Sequence, residues 1–182
     1  PFQELIHEQK TASILLLLST LIALIIANSA LADACLDQAY GLLFKWQSEK
    51  FGIPAAADGS RQDLVILGLG KLGARELNFS SDVDLIFAYP HNGKTRGGPE
   101  STSNGDFFIR LCRQLIKVIG NPTADGFVFR VDLRLRPFGE SGPMAMSFDD
   151  MESYYQEQGR EWERYALIKA RCVAGDKAAG NA

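Results

Sequence analysis

The sequence predicts an α+β fold: a mixed sheet with flanking helices, preceded by a long hydrophobic helix. Three observations carry this expectation. Short apolar runs of strand character stand at 64–67, 83–87 and 127–135, and stretches of helical periodicity lie between and after them. Only about nine residues separate Gly73 from Val83, too few for the helix of a parallel crossover. Finally, Thr11 to Ala32 contains no charged residue.

That first run, almost pure Ile, Leu and Ala from Ile14 to Ala27, is as long as a bilayer requires. Three readings of it stay open: a membrane-inserted helix, a secretory signal with Ala30-Leu31-Ala32 as its cleavage site, or a buried core helix. The domain organisation expected is therefore a hydrophobic helical segment at 1–32, a folded domain at 33–177 and a disordered tail at 178–182.

From Asp33 the texture becomes mixed. Leu36, Tyr40, Leu43 and Phe44 give a helix over Ala34–Lys50, and Gly52, Pro54 and Asp58-Gly59-Ser60 give a loop. Leu64-Val65-Ile66-Leu67 is a buried strand. A Gly-rich turn and short helix lead to a second strand at Val83–Phe87, and His91–Asn104 is a polar loop. Phe107, Phe108, Leu111, Cys112, Leu115, Ile116 and Ile119 mark an amphipathic helix stopped by Gly120 and Pro122. Phe127–Leu135 alternates as a third strand, Ser147 with Asp150 opens a helix, and another is expected over Arg160–Arg171.

Composition excludes some chemistry. A net charge of -3 gives no basic footprint for a nucleic acid. The cysteines Cys35, Cys112 and Cys172 are odd in number and show no CxxC spacing, which fits reduced thiols of a cytoplasmic protein. His7 and His91 are too far from any partner to centre a mechanism. Trp162, Tyr165, Tyr154 and Tyr155 read as packing, and Glu161 and Glu163 as a solvated face.

The chemistry concentrates elsewhere. Gly68-x-Gly70-x-x-Gly73 matches a dinucleotide fingerprint, but the helix after it is too short and the acids stand at the start of the next strand. Asp82 and Asp84, at i and i+2 of that strand, project to one side while Val83, Leu85 and Phe87 face the core. Two carboxylates suit Mg²⁺, and two such ions clamp the attacking and leaving oxygens of a displacement at phosphorus. On the third strand Phe129, Val131, Leu133 and Leu135 form one face, and Arg130, Asp132, Arg134 and Arg136 the other. Asp132 is thus the third metal ligand expected, with Arg134 or Arg136 as phosphate clamps. Gly70 and Lys71 face the phosphates from the turn, although Lys71 equally suits a solvated helix start.

This strand, Gly-rich turn, short helix and Asp-x-Asp layout resembles the nucleotidyltransferase superfamily. The long motifs Gly68-Leu-Gly-Lys-Leu-Gly, Glu76 to Phe87, Arg130 to Pro143 and Tyr154 to Ala166 resemble the bacterial glutamine synthetase adenylyltransferases, over about Ala32 to Asp176. Members of that family are bifunctional, with two nucleotidyltransferase domains and helical regulatory regions. Phe138-Gly-Glu-Ser-Gly-Pro and Tyr154-Tyr-Gln-Glu-Gln resemble the N-terminal, deadenylylating half. The resemblance implies phosphorolytic removal of AMP from a tyrosine of glutamine synthetase, or addition of AMP from ATP, in nitrogen-assimilation control. It implies Asp82, Asp84 and Asp132 as metal carboxylates and Gly70, Lys71 and Ser81 at the nucleotide. It also implies ATP or ADP and phosphate as substrates or products, and a nitrogen-signalling regulatory protein as a second partner. Residues 1–30 resemble the first membrane helix of sodium/proton antiporters and lie outside the family pattern as read here. The competing expectation is a catalytically inactive fragment or chimera, tethered to a membrane through residues 11–32.

Overall fold

The structure is a computed structural model that describes residues 13–14, 16–18, 29–78, 81–124 and 126–181. It is an α+β assembly with a mixed five-stranded sheet, as the sequence predicts.

Helix α1 (Ser29–Phe51) buries Ala32, Leu36, Tyr40, Leu43 and Phe44 along one stripe. It leads to β1 (Ile53–Ala55), which pairs antiparallel with β4 (Lys94–Arg96) as a separate ribbon. The main sheet comprises β2 (Val65–Gly68), β3 (Val83–Tyr89), β5 (Val131–Asp132), β6 (Ala145–Ser147) and β7 (Arg171–Gly175). Its order is β5-β3-β2-β7, and β6 joins the free stretch of β3 beside β5. The β2–β3 and β2–β7 pairs are antiparallel, whereas β3 runs parallel to both β5 and β6. Between β2 and β3, among the described residues, the only helix is the four-residue α2 (Gly70–Gly73). An antiparallel β2–β3 pair cannot belong to a parallel crossover unit, which disposes of the dinucleotide reading.

Helix α3 (Asn104–Gly120) opens on the Ser103 hydroxyl, which accepts from the Asp106 amide at 3.0 Å. Its Phe107, Phe108, Leu111 and Leu115 meet α1 and the sheet in the core, where the Phe107 ring stands edge-on to Phe44 at 5.5 Å. Val83, Leu85, Phe87 and Tyr89 enter that core, and the intervening Asp84, Ile86 and Ala88 take the other face. Helix α4 (Phe148–Glu157) starts at Ser147, whose hydroxyl accepts from the Asp150 amide as expected. A short α5 (Glu161–Ala166) follows.

Several expectations are corrected. The third strand, expected over 127–135, is only Val131–Asp132. Upstream, the Val128 and Phe129 amides donate to the Ile119 carbonyl and cap α3 instead of pairing in a ladder. Downstream, the Arg134 amide donates to the Asp132 carboxylate at 2.8 Å and turns the chain away. The helix expected over 160–171 ends at Ala166, and Arg171-Cys-Val-Ala-Gly is a strand. The tail expected to be disordered forms a 3₁₀ turn over Ala179–Asn181, and Gly180 lies so close to Cys172 and Val65 that a Cβ would clash.

The hydrophobic run falls mostly outside the described residues; Ser13, Ile14 and 16–18 are helical and exposed. Among the described residues no helix is long and apolar enough to cross a membrane. The boundary expected at 32/33 lies inside α1, where Ser29 and Ala32 are buried and the Ser29 hydroxyl accepts from the Leu77 amide at 3.3 Å.

Candidate active site

The site grows from the register of the sheet. Because β3 and β5 run parallel with Val83 opposite Val131, Asp84 stands directly opposite Asp132 on the neighbouring strand. Asp82 lies two residues before Asp84, at the entry to β3. Asp84 is half-buried, and burial first, then the Asp132 and Asp82 charges, push its carboxyl above the ordinary carboxylate range, with Arg134 opposing.

The Gly-rich turn closes over this position. The Leu69 amide donates to the Asp84 carbonyl at 2.9 Å, docking the turn on β3. Gly70 has φ +53, and a Cβ there would stand 2.7 Å from Asp84 Oδ2, so only glycine admits this approach. A Cβ at Gly73 would meet the Lys169 carbonyl at 2.0 Å. Behind the turn, Arg171 pairs with Asp33 through two hydrogen bonds and donates to the Leu72 and Gly73 carbonyls. One guanidinium thus joins α1 to the C-terminal end of α2.

The predicted phosphate-binding groups divide. Lys71 donates from Nζ to the Ser81 hydroxyl at 3.1 Å, and Ser81 donates to the Asn78 side chain, all on an exposed rim between the turn and β3. Arg134 grips Asp132 through Nε and Nη2 and holds its carboxyl below the usual range. Arg136 does not join the cluster. It is 9 % exposed and donates to the Leu133, Glu140 and Gly142 carbonyls, bracing the loop that follows β5. Sequence reasoning passed over Arg130, whose Nε pairs with Asp82, and Arg171. A lone arginine behind a turn carries no sequence signature, whereas Arg130 stood on the polar face already identified.

Among the described residues no three acid, histidine or cysteine side chains converge as metal ligands, because Asp82 and Asp132 are turned onto arginines. The donor set nonetheless fits a divalent cation. It offers hard carboxylate oxygens from two adjacent strands, and the burial and like-charge penalty on Asp84 is one that a cation there removes.

Comparison with known proteins places this geometry. The chain is 60% identical over 153 residues to the bifunctional glutamine synthetase adenylyltransferase/adenylyl-removing enzyme of Nitrosococcus oceani. It is 58% identical to the proteins of the same description from Hahella chejuensis, over 152 residues, and Pseudomonas aeruginosa, over 153. Each alignment takes 84% of this chain and 16% of the relative, so the chain spans about one sixth of their length. Residues 8–182 match the family described as glutamate-ammonia ligase adenylyltransferase, a match that takes in the whole hydrophobic run at 11–32 and so corrects the reading of residues 1–30 as outside the pattern from residue 8 onward. With the Asp-bearing strands, the Gly-rich turn and this match together, the chain belongs to the glutamate-ammonia ligase adenylyltransferase family.

Proposed function

We propose that this domain carries out metal-dependent nucleotidyl transfer, and specifically the phosphorolytic removal of AMP from an adenylylated tyrosine of glutamine synthetase. The observation that carries the reading is the parallel register that sets Asp84 beside Asp132 under the Gly70 backbone. Asp82, Asp84 and Asp132 would hold Mg²⁺, which supplies charge neutralisation at the reacting phosphate when bound.

The chain's own residues do the rest. The Gly70 backbone and the exposed Lys71 ammonium are offered to phosphate oxygens at the turn. Arg130 and Arg134, which pair with Asp82 and Asp132, would offer their guanidiniums to phosphate oxygens when Mg²⁺ is bound. A phosphate oxygen then bonds to the AMP phosphorus, the phosphorus–tyrosine oxygen bond breaks, ADP forms and the tyrosine regains its proton. Run with ATP and an unmodified tyrosine, the same site would attach AMP and release pyrophosphate.

The test is ADP formation from adenylylated glutamine synthetase, phosphate and Mg²⁺. Asp82→Asn with Asp84→Asn abolishes it; wild-type turnover in that double variant overturns the proposal. A second reading, a folded but inactive fragment, is favoured by the two arginine pairs that occupy Asp82 and Asp132. Under that reading the unsubstituted chain binds no ADP at millimolar nucleotide with Mg²⁺ present.

A further inference from the structure

Outside the acid cluster, a cavity of about 450 Å³ lies at the far end of β3. Tyr89 ends that strand five residues beyond Asp84, roughly 16 Å away at a strand's rise per residue. Tyr89, Phe138 and Tyr154 supply its aromatic walls, Ile109 and Met146 its aliphatic ones, and Asp150 and Glu157 its charges. Among the described residues no lysine, arginine or histidine lines it. The negative field is felt inside: the Tyr89 hydroxyl is pushed up by burial and then by the Asp150 and Asp106 carboxylates.

The wall is built rather than incidental. Phe138 holds φ +61, a left-handed conformation that strains a non-glycine residue, and there its ring lies 4.4 Å from the Tyr154 ring. Arg136 braces the same loop through the Leu133 and Glu140 carbonyls. Gly142 lets the loop close, since a Cβ would stand 2.1 Å from the Pro137 carbonyl. The Asp150 carboxylate is oriented by Ser147 at the start of α4.

We propose that this cavity binds a small organic cation, an ammonium carried on an aromatic or alkyl body. Aromatic faces attract a cation and tolerate its apolar body, two carboxylates at the rim neutralise it, and the volume lies in the range of small-molecule sites. An anion would meet two acids and no lining cation among the described residues, and a purely apolar ligand would leave both carboxylates unused.

The test titrates the 182-residue chain with 2-phenylethylammonium and, separately, its neutral counterpart 2-phenylethanol, following backbone amide shifts. The expected result is saturable shifts at Gly105, Ala145 and Ser153, with the cation bound at least tenfold tighter than the alcohol. Glu157→Gln, on an exposed side chain, cuts that preference severalfold, and adding Asp150→Asn removes it. Equal affinity for the two probes overturns the proposal. So do shifts confined to the residues around Asp82 and Asp84, or a preference that survives in the double variant.

Discussion

Gly70 and Asp84 approach so closely that no side chain fits between them: a Cβ on Gly70 would lie 2.7 Å from the Asp84 carboxylate oxygen. Gly70→Ala therefore costs about 1–2 kcal/mol from its positive φ and displaces Asp84 as well. AMP release should fall at least tenfold while the thermal midpoint moves by only a few degrees. Unchanged turnover would separate the turn from the chemistry.

Arg171 ties Asp33 on α1 to the carbonyls of Leu72 and Gly73. Arg171→Met leaves the partly buried Asp33 carboxylate and the Gly73 carbonyl without this donor, while the Leu72 carbonyl keeps the Arg75 amide, a loss of roughly 2–3 kcal/mol. Urea unfolding should show a lower midpoint at unchanged slope. A midpoint within error of wild type would mean that water replaces the guanidinium.

Glu163 is buried, accepts from the Tyr154 hydroxyl at 2.8 Å and caps the Arg160 amide at 2.8 Å. Glu163→Ala should destabilise the chain by roughly 1–3 kcal/mol, and Glu163→Gln by less, because the amide oxygen still accepts. Equal losses in the two variants would point to packing rather than hydrogen bonding.

The Tyr155 hydroxyl is buried without a partner, and burial, then Glu163 and Tyr154, push it up to about 12. A folded-state value raised above the unfolded one stabilises the protein fully below about pH 10; this contribution is lost as pH climbs toward 12. Tyr155→Phe removes both the orphan hydroxyl and its ionisation. It should match or exceed wild-type stability at neutral pH and extend the alkaline limit of folding, read by circular dichroism between pH 9 and 12. A neutral-pH loss of more than about 1 kcal/mol would show that the hydroxyl has a partner after all.

The site was more legible in the sequence than the sheet around it. Spacing of two put Asp82 and Asp84 on one side of β3, and alternation gave Asp132 and Arg130 a shared polar face. Neither depends on which strands finally pair. Strand lengths do depend on that: residues 127–130 alternate like a strand, but the Val128 and Phe129 amides are taken by the end of α3. Ala145–Ser147 and Arg171–Gly175 are short, and their partners lie far away in sequence. Glu163 was read as solvated because charge predicts exposure unless a buried hydroxyl and a bare helix amide both need it. The reverse error concerns Trp162 and Tyr165, expected to pack and found 50% and 75% exposed.

Strand β5 contributes two residues to an edge of the sheet, and one of them is Asp132. Such a short edge opens more easily than the core, so its protection against hydrogen exchange is separable from global unfolding. The Val83 amide, which donates to Arg130 at this edge, should exchange far sooner than Phe87 in the strand's centre. Peeling those few bonds would carry Asp132 away from Asp84 and leave the rest of the fold standing.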